Sequence, residues 1–386
     1  MKVLINAASI KEGGSRVVLN RLLAAMVAAR PDFTWIVAAN PMAIAGSLDT
    51  AKVSWLDVPL GSSVLDVLRW YEWELPALVS RIHPDVLFSQ TNYLSHRALP
   101  CPSLLLIQNA GHFSPVFDRL TRAHLGSPFA RWLWSYKSRW VHRSAKAATH
   151  LTVQTDALAE EVAKIARRPR EEIATIPHGP GSMPHLPGPR HSPDPNPPVI
   201  GYISKWGVQK DFGTLFRAAR LLQKRGRTFR LLLTLSEETA EGRATMKEAH
   251  AEGIHDLIEN HGEVPEQKIM SLYDRCDIFV FPSLCESFGF PLVEAMARGL
   301  PMVVAATREN LEVTGGAALA FDPGDAAGMA EQLDNLLLNP AARADRSEKC
   351  RLMGLNYSWE KAALGTIAAL ERATSTTVTS SSSCAR

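Results

Sequence analysis

The stretch DIFVFPSLCESFGFPLVEAMARGLP, from Asp277 to Pro301, decides the fold that we predict for this chain. Residues 277–281 form a short apolar, β-branched run, long enough for a buried strand and too short for a helix. The Pro, Ser and Gly residues of 282–289 predict a turn. A helix then begins at Pro291, and Gly299 followed by Pro301 ends it. The stretch therefore predicts a strand, a glycine-bearing loop and a helix in succession.

This loop and helix start would aim unpaired backbone N–H groups and a positive dipole end at one point, which suits phosphate. Two carboxylates flank the point: Glu286 lies in the loop, and Glu294 follows eight positions later on the helix. Carboxylates accept hydrogen bonds from hydroxyl groups, so the pair indicates a ligand with a phosphate centre and sugar rings on either side. Taken alone, the two acids are equally compatible with a structural interpretation. In that interpretation Glu294 caps its own helix and Glu286 is a solvated loop charge.

The longer pattern E-S-F-G-F-P-x-x-E-A-M-A-x-G-x-P resembles the signature of retaining glycosyltransferase family 4. Members of that family have the GT-B fold, in which two doubly wound parallel-sheet (Rossmann-like) α/β domains face a cleft. The resemblance implies that Glu294 binds the nucleotide ribose and that Glu286 lies beside the donor sugar as the first candidate catalytic residue. The loop residues that it implies at the donor diphosphate are Ser287, Phe288, Gly289 and Phe290.

Length and composition favour a globular protein of two domains. The chain has 386 residues, 46% hydrophobic and 21% charged, and a formal net charge of +3. This balance by itself implies no nucleic-acid partner. The N-terminus MKVLINAASI does not resemble a signal peptide, and no apolar run reaches the roughly 18 residues that a membrane span needs. We therefore expect a cytoplasmic protein.

The chain opens with a predicted βα unit. Residues 2–7 predict a buried strand, Gly13 and Gly14 a tight turn, and residues 17–29 an amphipathic helix. Two glycines do not make the dinucleotide fingerprint. The family resemblance implies more, because its members carry a glycine-rich first loop near the donor diphosphate, and Gly13 and Gly14 occupy that place.

A histidine near the end of a later strand is a second candidate catalytic residue. Strands alternate with helices, which predicts parallel sheets whose ligands bind beyond the carboxyl ends of the strands. Many family members have His-Asp after the strand predicted at 104–108, but this chain has Gln108 and Asn109 there. His112 could supply an imidazole instead. It could also be an ordinary solvated loop histidine.

The segment 119–146 is basic and aromatic, with no acidic residue after Asp118. Its apolar side chains fall on one helical face, and most of the basic ones lie off that face; the apolar set is Phe129, Trp132, Leu133, Tyr136 and Trp140. Such a face is compatible with ordinary core packing. It is also compatible with contact to the anionic inner surface of the cytoplasmic membrane.

The second half repeats the alternation. Residues 1–177 predict an acceptor-side domain, 178–198 a proline-rich linker, and 199–356 a nucleotide-sugar-binding domain. A helix at 357–372 would return to the first domain, and 373–386 would be a disordered tail. By resemblance, Lys205 and Lys210 neutralise the donor diphosphate, and Val264 lies near the nucleotide base.

These features predict a retaining hexosyltransferase. The donor would be GDP-mannose or a similar nucleoside-diphosphate sugar, and the acceptor a hydroxyl of a glycan or polyprenyl-linked glycan in bacterial surface polysaccharide synthesis. No Asp-x-Asp motif occurs, and two lysines can stabilise a leaving diphosphate, so we expect no metal requirement and no cofactor. A nucleotide-sugar epimerase of similar fold and a non-catalytic nucleotide-sugar sensor remain as alternatives.

Overall fold

The computed structural model describes residues 1–44, 52–61, 63–181 and 197–383, which form two compact units. Unit 1 comprises Met1–Ser114, Leu125–Gly179 and the segment from Ser358 onward. Unit 2 comprises Pro115–His124 and Pro180–Tyr357. Most of the predicted proline-rich linker lies outside the described residues.

Unit 1 contains a seven-stranded sheet in which every described pair of neighbouring strands is parallel. The spatial order is β3-β2-β1-β4-β5-β6-β7. Its strands are β1 (Lys2–Ala7), β2 (Thr34–Ala39), β3 (Val53–Asp57), β4 (Val86–Ser89), β5 (Ser103–Leu106), β6 (His150–Val153) and β7 (Ile173–Thr175). The order reverses between β1 and β4, which makes the sheet doubly wound.

Helices cover this sheet. Those of unit 1 are α1 (Gly13–Ala29), α2 (Val64–Arg69), α3 (Leu75–Ile82), α5 (Pro128–Ala147), α6 (Asp156–Ala166) and α14 (Trp359–Ser383), while α4 (Pro115–His124) groups with unit 2. The predicted apolar stripe of α1 is buried, from Val18 to Met26. α14 packs against α1 and contacts β4, β5 and β6.

Unit 2 contains a six-stranded sheet, also parallel, in the order β10-β9-β8-β11-β12-β13. Its strands are β8 (Val199–Tyr202), β9 (Arg230–Leu233), β10 (Ile258–Asn260), β11 (Ile278–Phe281), β12 (Met302–Ala305) and β13 (Leu319–Phe321). Its other helices are α7 (Phe212–Lys224), α8 (Ala240–Ala251), α9 (Glu266–Arg275), α10 (Phe290–Ala297), α11 (Arg308–Thr314), α12 (Ala326–Leu338) and α13 (Pro340–Gly354). The predicted fold class, two doubly wound α/β units, is confirmed.

The core of unit 2 shows why the quoted stretch folds as it does. β11 and β12 are buried along their whole lengths, as strands covered by helices on both faces must be. α10 buries every residue from Leu292 to Ala297. Its short, almost wholly apolar sequence therefore lies inside the layer between the sheet and α13, which it contacts.

Several predicted boundaries differ from the structure. Between α2 and α3 the chain forms a π-helical turn at Trp70–Glu74, so the helical segment there is not regular throughout. The basic segment 119–146 is two helices, since Gly126, Ser127 and Pro128 end α4 and begin α5. α14 extends to Ser383, beyond the predicted end of the last helix near Arg372. The Ser and Thr residues there are weak helix formers, but no Gly or Pro interrupts them.

Candidate functional site

The candidate site lies where the sheet of unit 2 reverses its strand order. That reversal, between β8 and β11, leaves a crevice beyond the carboxyl ends of these two strands. Two loops occupy the position: 203–211 follows β8 and 282–289 follows β11. The loops are joined directly, because the Leu284 backbone N–H donates to the Gln209 carbonyl oxygen at 2.9 Å. Residues far apart in sequence thus meet at one place.

The centre of this site is an ion pair between the two loops. Lys210 Nζ lies 2.5 Å from Glu286 Oε1, and each side chain is 13% exposed. Ser283 Oγ donates to the same carboxylate oxygen at 2.6 Å. Lys210 Nζ also lies 5.2 Å from the centre of the Phe281 ring. A charge pair this far from water is held by short, charge-assisted hydrogen bonds rather than by solvent.

The loop carrying Lys210 is itself fixed. The Tyr202 hydroxyl donates to the Lys210 carbonyl oxygen at 2.8 Å, and burial raises the pKa of this tyrosine well above its ordinary value. Asp211 adopts a left-handed backbone, φ 40°, and accepts a hydrogen bond from Thr214 N at the start of α7. The ammonium group of Lys210 is therefore presented from a rigid loop.

The second loop ends at Gly289, the N-cap of α10. Gly289 has φ +83°, a conformation that side-chain-bearing residues rarely adopt, and an added Cβ would lie 3.1 Å from Leu292 Cδ1. Glycine is thus required by backbone conformation, and a larger residue would also need Leu292 to shift by a few tenths of an ångström. The positive end of the α10 dipole lies at this loop, which favours an anion there, although Pro291 has no N–H and the Leu292 N–H donates to the Gly289 carbonyl oxygen at 2.9 Å.

Two aromatic residues beside Gly289 have structural contacts. Phe288 is buried and packs edge-on against Phe290 and Tyr357, with ring centres 5.7 and 5.5 Å away. Any contact of Phe288 with a ligand would therefore come from its backbone. Ser287 and Phe290 are half-buried on the same loop and helix start.

Glu294 lies on α10 and is 8% exposed. The Tyr273 hydroxyl, from α9, donates to Glu294 Oε2 at 2.8 Å. Burial, reinforced by the carboxylate charge, raises the pKa of Tyr273 well above its ordinary value. Tyr273 consequently remains a neutral donor that orients Glu294.

Lys205 and Val264 have different surroundings. Lys205 Nζ lies 2.5 Å from Glu263 Oε1, with the two side chains 66% and 60% exposed. The hydrogen bond from Lys205 lowers the pKa of Glu263. Exposed pairs of this kind contribute little to stability, so Lys205 can leave Glu263 for another anion at small cost. Val264 is half-buried and packs on the core of unit 2.

Sequence reasoning missed four residues of this site. Ser283 and Tyr273 hold the two predicted carboxylates, and Asn310 Nδ2 donates to the Ser283 and Ala305 carbonyl oxygens, both at 3.1 Å. Glu309, in the first turn of α11, is a third acid whose pKa is raised mainly by burial and in part by the Glu286 charge. The available signal was that 306–310 follows the carboxyl end of strand β12, beside β11.

Three further predicted site residues belong to unit 1. Gly13 and Gly14 open α1 directly after the β1 loop, at the strand-order reversal of that sheet. Gly13 has φ +71°, and an added Cβ there would meet no atom within 4 Å. The glycine requirement at this position is therefore conformational, with open space above the backbone.

His112 is less exposed than the loop histidine considered from the sequence. It is 9% exposed, stacks on Trp134 with ring centres 4.5 Å apart, and its Nδ1 lies 2.9 Å from Ser138 Oγ. Burial, followed by the charges of His142 and Lys137, lowers its pKa to about 4. His112 is thus neutral at physiological pH and helps to seat α5. Its catalytic role stays a prediction.

Within the described ranges, no three His, Cys, Asp or Glu side chains are grouped so that they could hold a metal ion. No helix in the same ranges is both long and apolar enough to cross a bilayer. Metal independence and a cytoplasmic location stay predictions.

Residues 189–353 match the family model described as "Glycosyl transferases group 1". This segment is similar to group 1 glycosyltransferase domains. The match begins before β8 and ends at Met353 in α13, and so contains both loops of the candidate site and the Glu294 helix. The sequence-based recognition of a bacterial glycosyltransferase is confirmed at this level.

A curated relative supports the same assignment. The chain is 26% identical over 244 residues to O-antigen chain mannosyltransferase B of Escherichia coli, an alignment that covers 60% of this chain and 63% of that protein. The chain thus spans less than two thirds of the length of the curated relatives it first matches.

Solved structures extend the likeness to the whole fold. Sucrose-phosphate synthase from Thermosynechococcus elongatus superposes with a TM-score of 0.74 at 16% identity, over 96% of this chain and 98% of that one. Anabaena HepE, solved with UDP and glucose, superposes with a TM-score of 0.68 at 17% identity, over 96% of this chain and 99% of that one. At these identities the comparison establishes the GT-B fold alone.

Proposed function

We propose that the chain transfers a hexose from a nucleoside-diphosphate sugar to a hydroxyl group of a glycan or polyprenyl-linked glycan, with retention of anomeric configuration. The observation that supports this proposal most strongly is the hydrogen-bonded pair of loops after β8 and β11. These loops present Lys210, Glu286 and the Gly289-capped start of α10. A cation, a carboxylate and the positive end of a helix dipole at one crevice suit a diphosphate bonded to hydroxyl-rich rings.

The proposed donor pose assigns each group a task. The diphosphate lies at the start of α10, where Lys210 and Lys205 counter its charge. Glu294 accepts hydrogen bonds from ribose hydroxyls, and Glu286 from the hexose. Because Glu286 is bonded to Lys210 and Ser283 beforehand, a bound diphosphate would compete for Lys210 and release a carboxylate lone pair toward the sugar.

The chemistry follows from where charge develops. As the glycosidic bond breaks, negative charge grows on the leaving diphosphate and positive character on the sugar ring. Positioned lysines and N–H groups stabilise the negative charge on the diphosphate more strongly in the transition state than in the ground state. Glu286 stabilises the positive character of the sugar ring. No covalent intermediate and no divalent ion are needed in this scheme.

The name of the E. coli relative favours mannose as the sugar. We propose GDP-mannose or a similar donor, and a role in bacterial surface polysaccharide synthesis such as that of lipopolysaccharide. His112, neutral and close to Ser138, is the second candidate for a proton-transfer or positioning role.

A donor panel tests the proposal. The purified protein is incubated with GDP- and UDP-linked hexoses, with and without a polyprenyl-linked acceptor and with and without a chelator. We expect nucleoside diphosphate release that depends on the acceptor and survives chelation, and an α-linked product from an α-linked donor by NMR. Conversion of the donor without acceptor would indicate an epimerase, and binding without conversion a sensor. Either result refutes the transferase.

A further inference from the structure

Helix α5 carries two large aromatic side chains in an exposed position. Phe129 is 70% exposed and Trp132 is 59% exposed. Their rings stack on each other with centres 5.9 Å apart, and Trp132 stacks in turn on Tyr136 at 5.8 Å. Ordinary core packing, one of the two interpretations of this face considered from the sequence, therefore does not describe Phe129 and Trp132.

Basic side chains continue the same exposed side. Trp132, Arg139 and Lys146 are spaced by seven residues, close to two turns, and Arg143 lies one turn from Arg139. All three basic residues are exposed. We call Phe129, Trp132, Arg139, Arg143 and Lys146 the aromatic-basic face. No acidic residue occurs between Asp118 and Asp156, so helix α5 offers no charge of opposite sign.

The opposite side of α5 is anchored, which leaves this face outward. Trp140 is buried, its Nε1 donates to the Leu94 carbonyl oxygen at 2.9 Å, and its ring meets Tyr71 edge-on at 5.5 Å. Val141, Ser144 and Ala145 are also buried. α5 is thus a helix with one side in the core of unit 1 and a distinct, charged aromatic side toward solvent.

We propose that the aromatic-basic face of α5 docks on an anionic lipid bilayer, with Phe129 and Trp132 at the headgroup level and the basic residues on acidic headgroups. Aromatic rings with a polar surround favour the membrane interface, and clustered Arg and Lys residues favour anionic lipid. A protein partner fits less well, since interface cores are depleted of charge and this face has three exposed basic side chains with no acidic residue on α5 itself. The inference is independent of donor turnover.

The test is flotation of the full chain with vesicles of phosphatidylcholine containing phosphatidylglycerol, and with phosphatidylcholine alone. The double variant Arg139→Glu/Arg143→Glu changes the net charge from +3 to −1. Each basic residue near an anionic surface contributes roughly five-fold to binding. We therefore expect wild type to float with the anionic vesicles alone, and the variant to bind at least about 25-fold more weakly.

Matched controls separate this face from bulk charge and bulk hydrophobicity. Lys224→Glu/Lys247→Glu makes the same charge change on exposed residues of unit 2 and should float like wild type. Trp132→Ser should weaken binding about ten-fold or more, while Leu338→Ser, at a 58% exposed position, should not. Thermal unfolding of each variant verifies folding.

Three flotation results overturn the proposal: wild type fails to float with anionic vesicles, it floats equally with neutral ones, or the two double variants behave alike. Competition by soluble heparin without any vesicle binding would assign the face to a soluble polyanion and overturn lipid docking. Transfer to a water-soluble acceptor should be equal in wild type and the α5 double variant.

Discussion

The ribose assignment of Glu294 can be tested at the level of single hydroxyl groups. Glu294 is 8% exposed and is held by the Tyr273 hydroxyl at 2.8 Å, so its carboxylate is positioned before any ligand binds. Hydrogen bonds to a charged group contribute about 1.5 to 3 kcal/mol. At about 1.4 kcal/mol per factor of ten, Glu294→Ala should weaken GDP binding by roughly 10- to 150-fold.

The assay is a double-mutant-type thermodynamic cycle in which one change is made in the protein and one in the ligand. Dissociation constants are measured by calorimetry for GDP and 2′,3′-dideoxy-GDP, and for the corresponding UDP pair in parallel. Wild type should prefer the ribonucleotide, and Glu294→Ala should bind both forms with the weaker affinity. Glu294→Gln keeps an acceptor for Tyr273 and should fall between. Glu331→Ala, an exposed acid of the same unit, should resemble wild type.

Equal losses for the two nucleotides would refute the ribose contact, because the effect would then be general. Tyr273→Phe supplies an independent measurement. It leaves a buried carboxylate short of a donor, so it should lower the free energy of unfolding by about 1 to 3 kcal/mol. Unchanged affinity in a folded Glu294→Ala variant would remove Glu294 from the site.

Three more predictions follow from the contacts. Lys210→Met leaves Glu286 largely buried without its cation and should lower the free energy of unfolding, measured by urea titration, by about 2 to 4 kcal/mol. The double variant Lys210→Met/Glu286→Gln should recover much of that stability but no transferase activity, and a single variant as stable as wild type would contradict the reasoning. Burial lowers the pKa of His178 to about 3 from 6.5, so between these pH values the unfolded chain binds more protons than the folded one, and the free energy of unfolding should fall by up to about 1.4 kcal/mol for each pH unit of acidification. His178→Gln should flatten this pH dependence, and an unaltered slope would exclude His178 as its source. In Gly179→Ala the new Cβ would lie 2.6 Å from Trp359 Cδ1, so unfolding should become easier by roughly 1 to 3 kcal/mol, whereas Gly126→Ala, with no atom within 4 Å, should show no such loss; equal thermal stability of the two would argue against the predicted clash.

Local pattern was sufficient for the central strands and for the quoted stretch. β1 and the strand, loop and helix from Ile278 to Ala297 match the sequence expectation closely, because continuous apolar runs and Gly or Pro punctuation act over a few residues. The edge strands β3 and β10 were missed. Each pairs on one side alone, and neither carries a fully buried apolar run that would mark it.

Tertiary structure alone decided which groups meet. Lys210 and Glu286 are 76 positions apart, and Tyr273 and Glu294 are 21 apart, so no local pattern pairs them. In α5, likewise, the helical periodicity of the sequence predicts one apolar stripe. Packing in the tertiary structure alone decides that Trp140 is buried and Trp132 is exposed. The sequence by itself determined the elements, the family signature and the candidate carboxylates. Their partners, burial and electrostatics depended on strand order, because parallel sheets bring distant strand ends together.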